Sequence, residues 1–123
     1  MIYDLVYISA KYVESSILLF RGKQVILDRD LASFYGVSIG KLNRAIKRNP
    51  ERFPRDFRFQ LTLEETKAVE ATRKPKTRGR QVKCRPYVYT EPGISMLPTV
   101  FRSERIIQVN ILIMRTFLRL RER

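Results

Sequence analysis

Two apolar runs, at 17–20 and 25–27, flank a polar break at Arg21-Gly22-Lys23. Stretches rich in Ile, Leu, Val and Phe on either side of a glycine that accepts tight-turn backbone angles predict a β-hairpin over 17–27, laid over a helical core. The period then changes. After Asp28, which suits an N-cap, Leu31, Ala32 and Tyr35 recur at helical spacing, with Asp30 near the positive helix end. Gly36 can end this helix because it enters the left-handed region without a Cβ clash. Val37 and Ser38 form a short link, and Ser38 can cap a second helix. That helix has Leu42, Ala45 and Ile46 on one face and Lys41, Asn43, Arg44 and Lys47 around the rest.

This spacing is that of a helix-turn-helix, and each position has a physical reason. Ala32 is small where the second helix crosses the first, Gly36 makes the sharp turn, and Val37 and Leu42 plug the angle between the helices. The opposite face is then free to enter a major groove, presenting Ser38, Asn43, Arg44 and Lys47 with Lys41 and Arg48 beside them. Asn pairs bidentately with adenine and Arg with guanine, while Lys more often takes phosphate.

Asn49-Pro50 stops the second helix, and Phe53-Pro54 anchors a turn. Phe57, Phe59 and Leu61 alternate with Arg58 and Gln60, predicting a half-buried strand with its aromatics in the core and its polar residues on the outer face. Thr62 and Glu65 have capping-box spacing for a helix to about Thr72, in which Glu64, Glu65 and Glu70 read as solvated charges. Tyr87 to Thr90 reads as a strand, followed by a short helix that breaks at Pro98. Ser103 then caps the longest helix, 104–122, which is apolar around most of its girth. Its stripe Ile107, Ile111, Met114 and Leu118 is expected to face the domain. Ile106, Val109, Ile113, Phe117 and Leu120 are then left for a second surface, suggesting a homodimer through 104–122. Residues 1–16 read as a weakly patterned extension, with a turn near 14–16, ahead of a domain spanning 17–123. The elements together predict a compact α+β domain that contains a helix-turn-helix, a short β-hairpin with further strands, and a long C-terminal helix.

Composition sharpens the functional side. Twenty-five Lys and Arg against 12 Asp and Glu leave a formal net charge of +13 on 123 residues, which favours a polyanion partner over a small neutral substrate. Much of this charge lies at 73–86, where Arg73, Lys74, Lys76, Arg78, Arg80, Lys83 and Arg85 occur with no acidic residue between them. Pro75, Gly79 and Pro86 break any helix there, so the segment reads as a basic loop or wing tip placed to grip phosphate. The chain has no His and a single Cys, Cys84, which excludes a His-dependent triad, a His-containing zinc site and an intramolecular disulfide. Asp28 and Asp30 suit helix capping better than metal ligation, so no enzyme activity, metal or cofactor is expected. No apolar run approaches membrane-span length, and the N-terminus lacks a basic region before its apolar residues; a cytoplasmic protein is expected.

The segments FRGKQVILDRDLASFYGV, LNRAIKRNPERFPRDFRFQLT, YVYTEPGISML and FRSERIIQVNILIMRTFLRL occur in the same order as the landmarks of the KilA-N DNA-binding domain. The chain resembles the ORF-six-N-terminal branch of that family, found in phage and prophage proteins and akin to the Bro-N domain. The resemblance runs over roughly 15–121 and implies an α+β DNA-binding domain, commonly the N-terminal module of a phage regulator or antirepressor-like protein. Where relatives usually carry Glu-Gln-Gly, this chain has Glu91-Pro92-Gly93.

Three functional classes therefore stand. The first is sequence-specific binding of double-stranded DNA, with 39–48 in the major groove and the basic loop on the backbone. The second is nonspecific binding of RNA or single strands, for which charge alone suffices. The third is a protein-interaction module acting on another repressor.

Overall fold

The computed structural model describes residues 10–72 and 85–122. The hairpin forms where the apolar runs place it. Strands β1 (Ile17–Phe20) and β2 (Lys23–Leu27) pair antiparallel across a two-residue turn, in which Arg21 and Gly22 have φ of 54° and 74°. A turn with positive φ at both central residues matches the twist of the flanking strands. Gly22 adopts that conformation freely. Arg21 is held in it from outside, by two hydrogen bonds of 3.0 and 2.8 Å to the Glu65 carboxylate and by stacking 4.4 Å above the Phe59 ring.

The hairpin is more than a cover for helices. With β3 (Arg58–Gln60) and β4 (Tyr87–Thr90) it forms a four-stranded antiparallel sheet in the order β1-β2-β4-β3, and its two central strands are buried on both faces. Ile26 and Tyr89 point into the main core, against helices α1 (Ala10–Ser16), α2 (Asp28–Tyr35), α3 (Ile39–Lys47), α5 (Glu91–Met96) and α6 (Glu104–Arg121). Val25, Leu27 and Val88 point the other way, where Leu61 and, from α4 (Leu63–Thr72), Val69 close a smaller second core. Helices, sheet and α4 thus form three layers, the α+β arrangement that the sequence predicts. Pro98 falls in a 3-10 turn, Leu97–Thr99, which separates α5 from the approach to α6. Pro92 occupies the first turn of α5, where a missing N–H costs nothing.

Four local expectations change. Asp28 is not a cap: α2 begins at Asp28, with Leu27 in the cap position and no side-chain capping bond. The Asp28 carboxylate instead accepts from its neighbour's backbone, Arg29 N at 2.7 Å, and from Tyr87 N at 3.3 Å, tying α2 to the start of β4. Burial raises its pKa, and the two backbone N–H groups oppose the rise. Residues 14–16 are the last turn of α1, whose Val13 is fully buried. Glu65 and Glu70 are paired rather than solvated, with Arg21 and Arg29 respectively.

The largest correction concerns α6, whose two apolar faces are exchanged relative to expectation. Ile106, Val109, Ile113 and Phe117 are buried, while Ile107, Ile111 and Leu118 are 46, 46 and 49% exposed, with Met114 and Leu120 between. Two polar residues, Asn110 and Thr116, share the buried face and break its apolar signature in the sequence. Asn110 gains a partner by burial, its Nδ2 donating to Ile94 O of α5 at 2.8 Å, while Thr116 Oγ1 is satisfied within α6 by Leu112 O at 2.9 Å.

The capping box at the start of α4 is reciprocal, with Thr62 N donating to Glu65 Oε1 at 2.8 Å and Glu65 N to Thr62 Oγ1 at 3.1 Å. The Arg21 hydrogen bond, reinforced by these contacts, holds the Glu65 carboxyl down to about 2, against 4.5 ordinarily. A depressed folded-state pKa stabilises above the unfolded value, so this contribution is complete above pH 4.5 and fades as pH falls toward 2. Glu65→Ala is expected to cost about 1–2 kcal/mol at neutral pH, a helix cap plus a partly exposed ion pair. Urea melts at pH 7 and pH 3 check this, because the gap between variant and parent must narrow at the lower pH.

Candidate nucleic-acid interface

Helices α2 and α3 are joined by Gly36-Val37-Ser38, and the turn is built by hydrogen bonds that the sequence makes obligatory. Gly36 lies at φ 74°, and Gly36 N and Val37 N donate to Ser33 O at 3.2 Å and Ala32 O at 3.0 Å. This pair of bonds is the Schellman closure of a helix C-terminus. Ser38 Oγ then accepts from Lys41 N at 3.0 Å and caps α3. Ala32 and Leu42 are buried between the helices, with Val37 half-buried beside them. The turn is braced from behind by α6, where Arg105 donates to Phe34 O at 3.2 Å. A Cβ on Gly36 would come within 3.1 Å of that arginine's Nε. At its far end α3 closes on Asn49, whose Nδ2 donates to Ala45 O at 2.9 Å before Pro50 opens a 3-10 turn, Pro50–Arg52.

Leu42 and Ile46 bury one face of α3, and Ser38, Lys41, Arg44, Lys47 and Arg48 are exposed on the others. No acidic residue lies in α3, and none of the ion pairs among the described residues uses these four cations. Three arginines elsewhere are paired: Arg21 with Glu65, Arg29 with Glu70 and Arg121 with Glu91. Lys41, Arg44, Lys47 and Arg48 therefore form a cluster of exposed cations with no ion pair among the described residues, on and just after α3.

Asn43 is the exception among the sequence-predicted readers. It is half-buried, and its Oδ1 is shut off from solvent with no hydrogen-bond partner. It lines a groove of about 420 Å3 between the C-terminal half of α3 and the sheet edge, together with Ile46, Lys47, Pro50, Phe53, Arg58 and Tyr87. Arg85 is exposed and folds back onto the sheet edge, exchanging hydrogen bonds with Gln60: Arg85 Nη2 to Gln60 Oε1 at 3.2 Å, and Gln60 Nε2 to Arg85 O at 3.1 Å. Arg73, Lys74, Lys76, Arg78, Arg80 and Lys83 lie outside the described residues.

Two features of this surface escape the sequence reading. Ile39, the first residue of α3, is 41% exposed, an apolar group where a thymine methyl could be met. Arg58 does not project from an outer face. Its face of β3 is the one that carries Tyr89 toward the helical core, and its guanidinium lies 3.6 Å over the Tyr87 ring. The general signal for Ile39 was available, as an apolar residue immediately after an N-cap. No local signal marks Arg58.

Among the described residues no group of three or more His, Cys, Asp or Glu side chains could hold a metal ion, and no helix is long and apolar enough to cross a membrane. A family model, the ORF6N domain, matches residues 15–100. That span runs from the end of α1 through the sheet, the α2–α3 pair, α4 and α5. Neither a curated protein nor a solved structure matches the chain.

Proposed function

The chain belongs to the ORF6N domain family, and from that premise we propose that it is the double-stranded DNA-binding module of a phage-type transcriptional regulator or antirepressor-like protein. One observation carries the reading: a braced helix-turn-helix whose second helix exposes Lys41, Arg44, Lys47 and Arg48 with no carboxylate to neutralise them. In the proposed complex the N-terminal half of α3 lies in the major groove, with Ser38, Lys41 and Arg44 toward bases and phosphates and Ile39 toward a thymine methyl. Lys47 and Arg48 take backbone phosphate. The basic segment 73–86 adds electrostatic grip that does not depend on sequence. The protein acts in the bacterial cytoplasm, without a cofactor and without catalysis. Two copies meet through the exposed stripe Ile107, Ile111 and Leu118, the reverse of the face that the sequence offered for this role.

Selection from random duplex pools by the purified protein, at about 0.15 M salt, tests this reading. An enriched motif supports sequence readout, and a two-fold repeat in it supports the dimer. Absence of enrichment, with steep salt dependence and equal affinity for RNA, leaves a nonspecific polyanion binder instead. Arg44→Ala is expected to cost about 1–3 kcal/mol on the preferred site and to relax one base position, whereas Lys76→Ala weakens all sequences alike. Equal losses from both substitutions on every duplex would refute this division of labour.

A further inference from the structure

The groove beside α3 holds the best-organised cation on this face, and it is not on the helix. Arg58 comes from edge strand β3. Its guanidinium stacks on Tyr87 at 3.6 Å, and its Nε donates to Tyr89 Oη at 3.1 Å. The pairing of β3 with β4 places Arg58 opposite Tyr89 and Gln60 opposite Tyr87, so the arginine and its stacking ring are diagonal neighbours on one sheet face. One N–H of the fork is thereby used. The terminal amino groups have no acceptor among the described residues, and the side chain lines the same groove as Lys47. An arginine locked by a ring and by one hydrogen bond has already lost most of its rotamer freedom. It therefore offers its remaining donors at low entropic cost.

We propose that this groove is a phosphate-binding site, in which Arg58 and Lys47 clamp one backbone phosphate of duplex DNA just outside the bases that α3 reads. The inference rests on the DNA-binding reading above and adds to it a contact from the sheet. Three observations select phosphate over a base edge. Both charged groups lining the groove are cations, and no carboxylate lines it. The one strong acceptor there, Asn43 Oδ1, is closed to solvent and cannot accept from a base amino group. The groove also adjoins Lys47 at the C-terminal end of α3, whereas base contacts of such motifs come from the N-terminal residues of the recognition helix. The planar fork suits a phosphate, which can take two parallel N–H donors.

Binding of a short fluorescein-labelled duplex to the full chain, followed by anisotropy over a salt series, tests the site. Arg58→Ala is expected to weaken binding about tenfold on every duplex sequence and to reduce the log–log salt slope by about 0.9, one phosphate contact. Tyr87→Leu alters no charge, yet it should weaken binding severalfold by releasing the arginine. In the Arg58→Ala background it should do nothing further. Thermal melts accompany each variant. Should Arg58→Ala fail to fold, Tyr87→Leu decides alone, and parental affinity in a folded Tyr87→Leu protein overturns the proposal. Parental affinity and slope in Arg58→Ala overturn it equally, while the DNA-binding reading survives. If the unsubstituted chain binds no duplex, that reading itself fails and the site falls with it.

Discussion

Gly93→Ala is expected to destabilise the domain by about 3 kcal/mol or more, a large fraction of the roughly 5–15 kcal/mol that holds an ordinary domain folded. Gly93 sits in the second half of the first turn of α5, fully enclosed, where the chain entering β3 passes directly over the helix. A Cβ built there would lie 2.0 Å from Phe57 O and 2.8 Å from Phe57 C. The obstacle is backbone, so no rotamer change relieves it. That backbone is also committed elsewhere: Phe57 O accepts from Thr90 N at 3.1 Å and Thr90 Oγ1 at 3.2 Å, and Thr90 Oγ1 also donates to Asp56 O at 2.7 Å. Moving Phe57 away would break these bonds and shift β3, and with it Arg58 and the groove beside α3. Equilibrium urea unfolding of soluble protein measures the effect as a fall in midpoint at unchanged slope. A fall of less than about 1 kcal/mol would show that α5 can slide away from the strand, because helix propensity alone slightly favours Ala over Gly.

Nothing in the local sequence marks Gly93 as indispensable. It reads as a weak spot in a short helix, and its constraint comes from Phe57, brought over it by the sheet. The same division runs through the molecule. The hairpin turn, the Schellman closure at Gly36, the Ser38 cap and the Thr62–Glu65 box are legible because their partners lie within a few residues. Arg58 is legible as a polar position of a strand. Its aromatic platform is not, since Tyr87 reaches it only through non-local pairing of β3 with β4. The exposed cations of α3 could be read from helical period and charge. The withdrawal of Asn43 into the groove could not, because it depends on the sheet edge packing beside that helix. The exchange of faces on α6 is the clearest instance. Both stripes are apolar enough to bury, so hydrophobicity does not choose between them, and the choice falls to Asn110, whose partners lie on other helices.

Asn110→Ala is therefore expected to cost about 2–4 kcal/mol, out of proportion to the volume removed. Asn110 is buried where α2, α5 and α6 meet: its Oδ1 accepts from Tyr35 Oη, and its Nδ2 donates to Ile94 O at 2.8 Å. Truncation strands the Tyr35 hydroxyl in the core without a partner, at about 1–3 kcal/mol, and opens a void beside it. Ile94 O loses less, because Leu97 N still donates to it. Burial pushes the Tyr35 phenol pKa far up, so it stays a neutral donor across the accessible pH range, and the deficit should not depend on pH. Calorimetric melts between pH 5 and pH 9 check both size and flatness. The combined Tyr35→Phe, Asn110→Leu variant separates the two roles of the pair. Removing both partners and refilling the space is often nearly neutral in stability, so recovery of the melting temperature with a sharp transition would mean that Asn110 only satisfies Tyr35. Recovery with a broadened transition and poorly dispersed amide resonances would mean more. With no polar group of α6 then bonded to another helix from its buried face, the helix would no longer have a clear reason to bury Ile106, Val109, Ile113 and Phe117 rather than Ile107, Ile111 and Leu118. Arg105, which braces the turn between α2 and α3, would lose its fixed position with it.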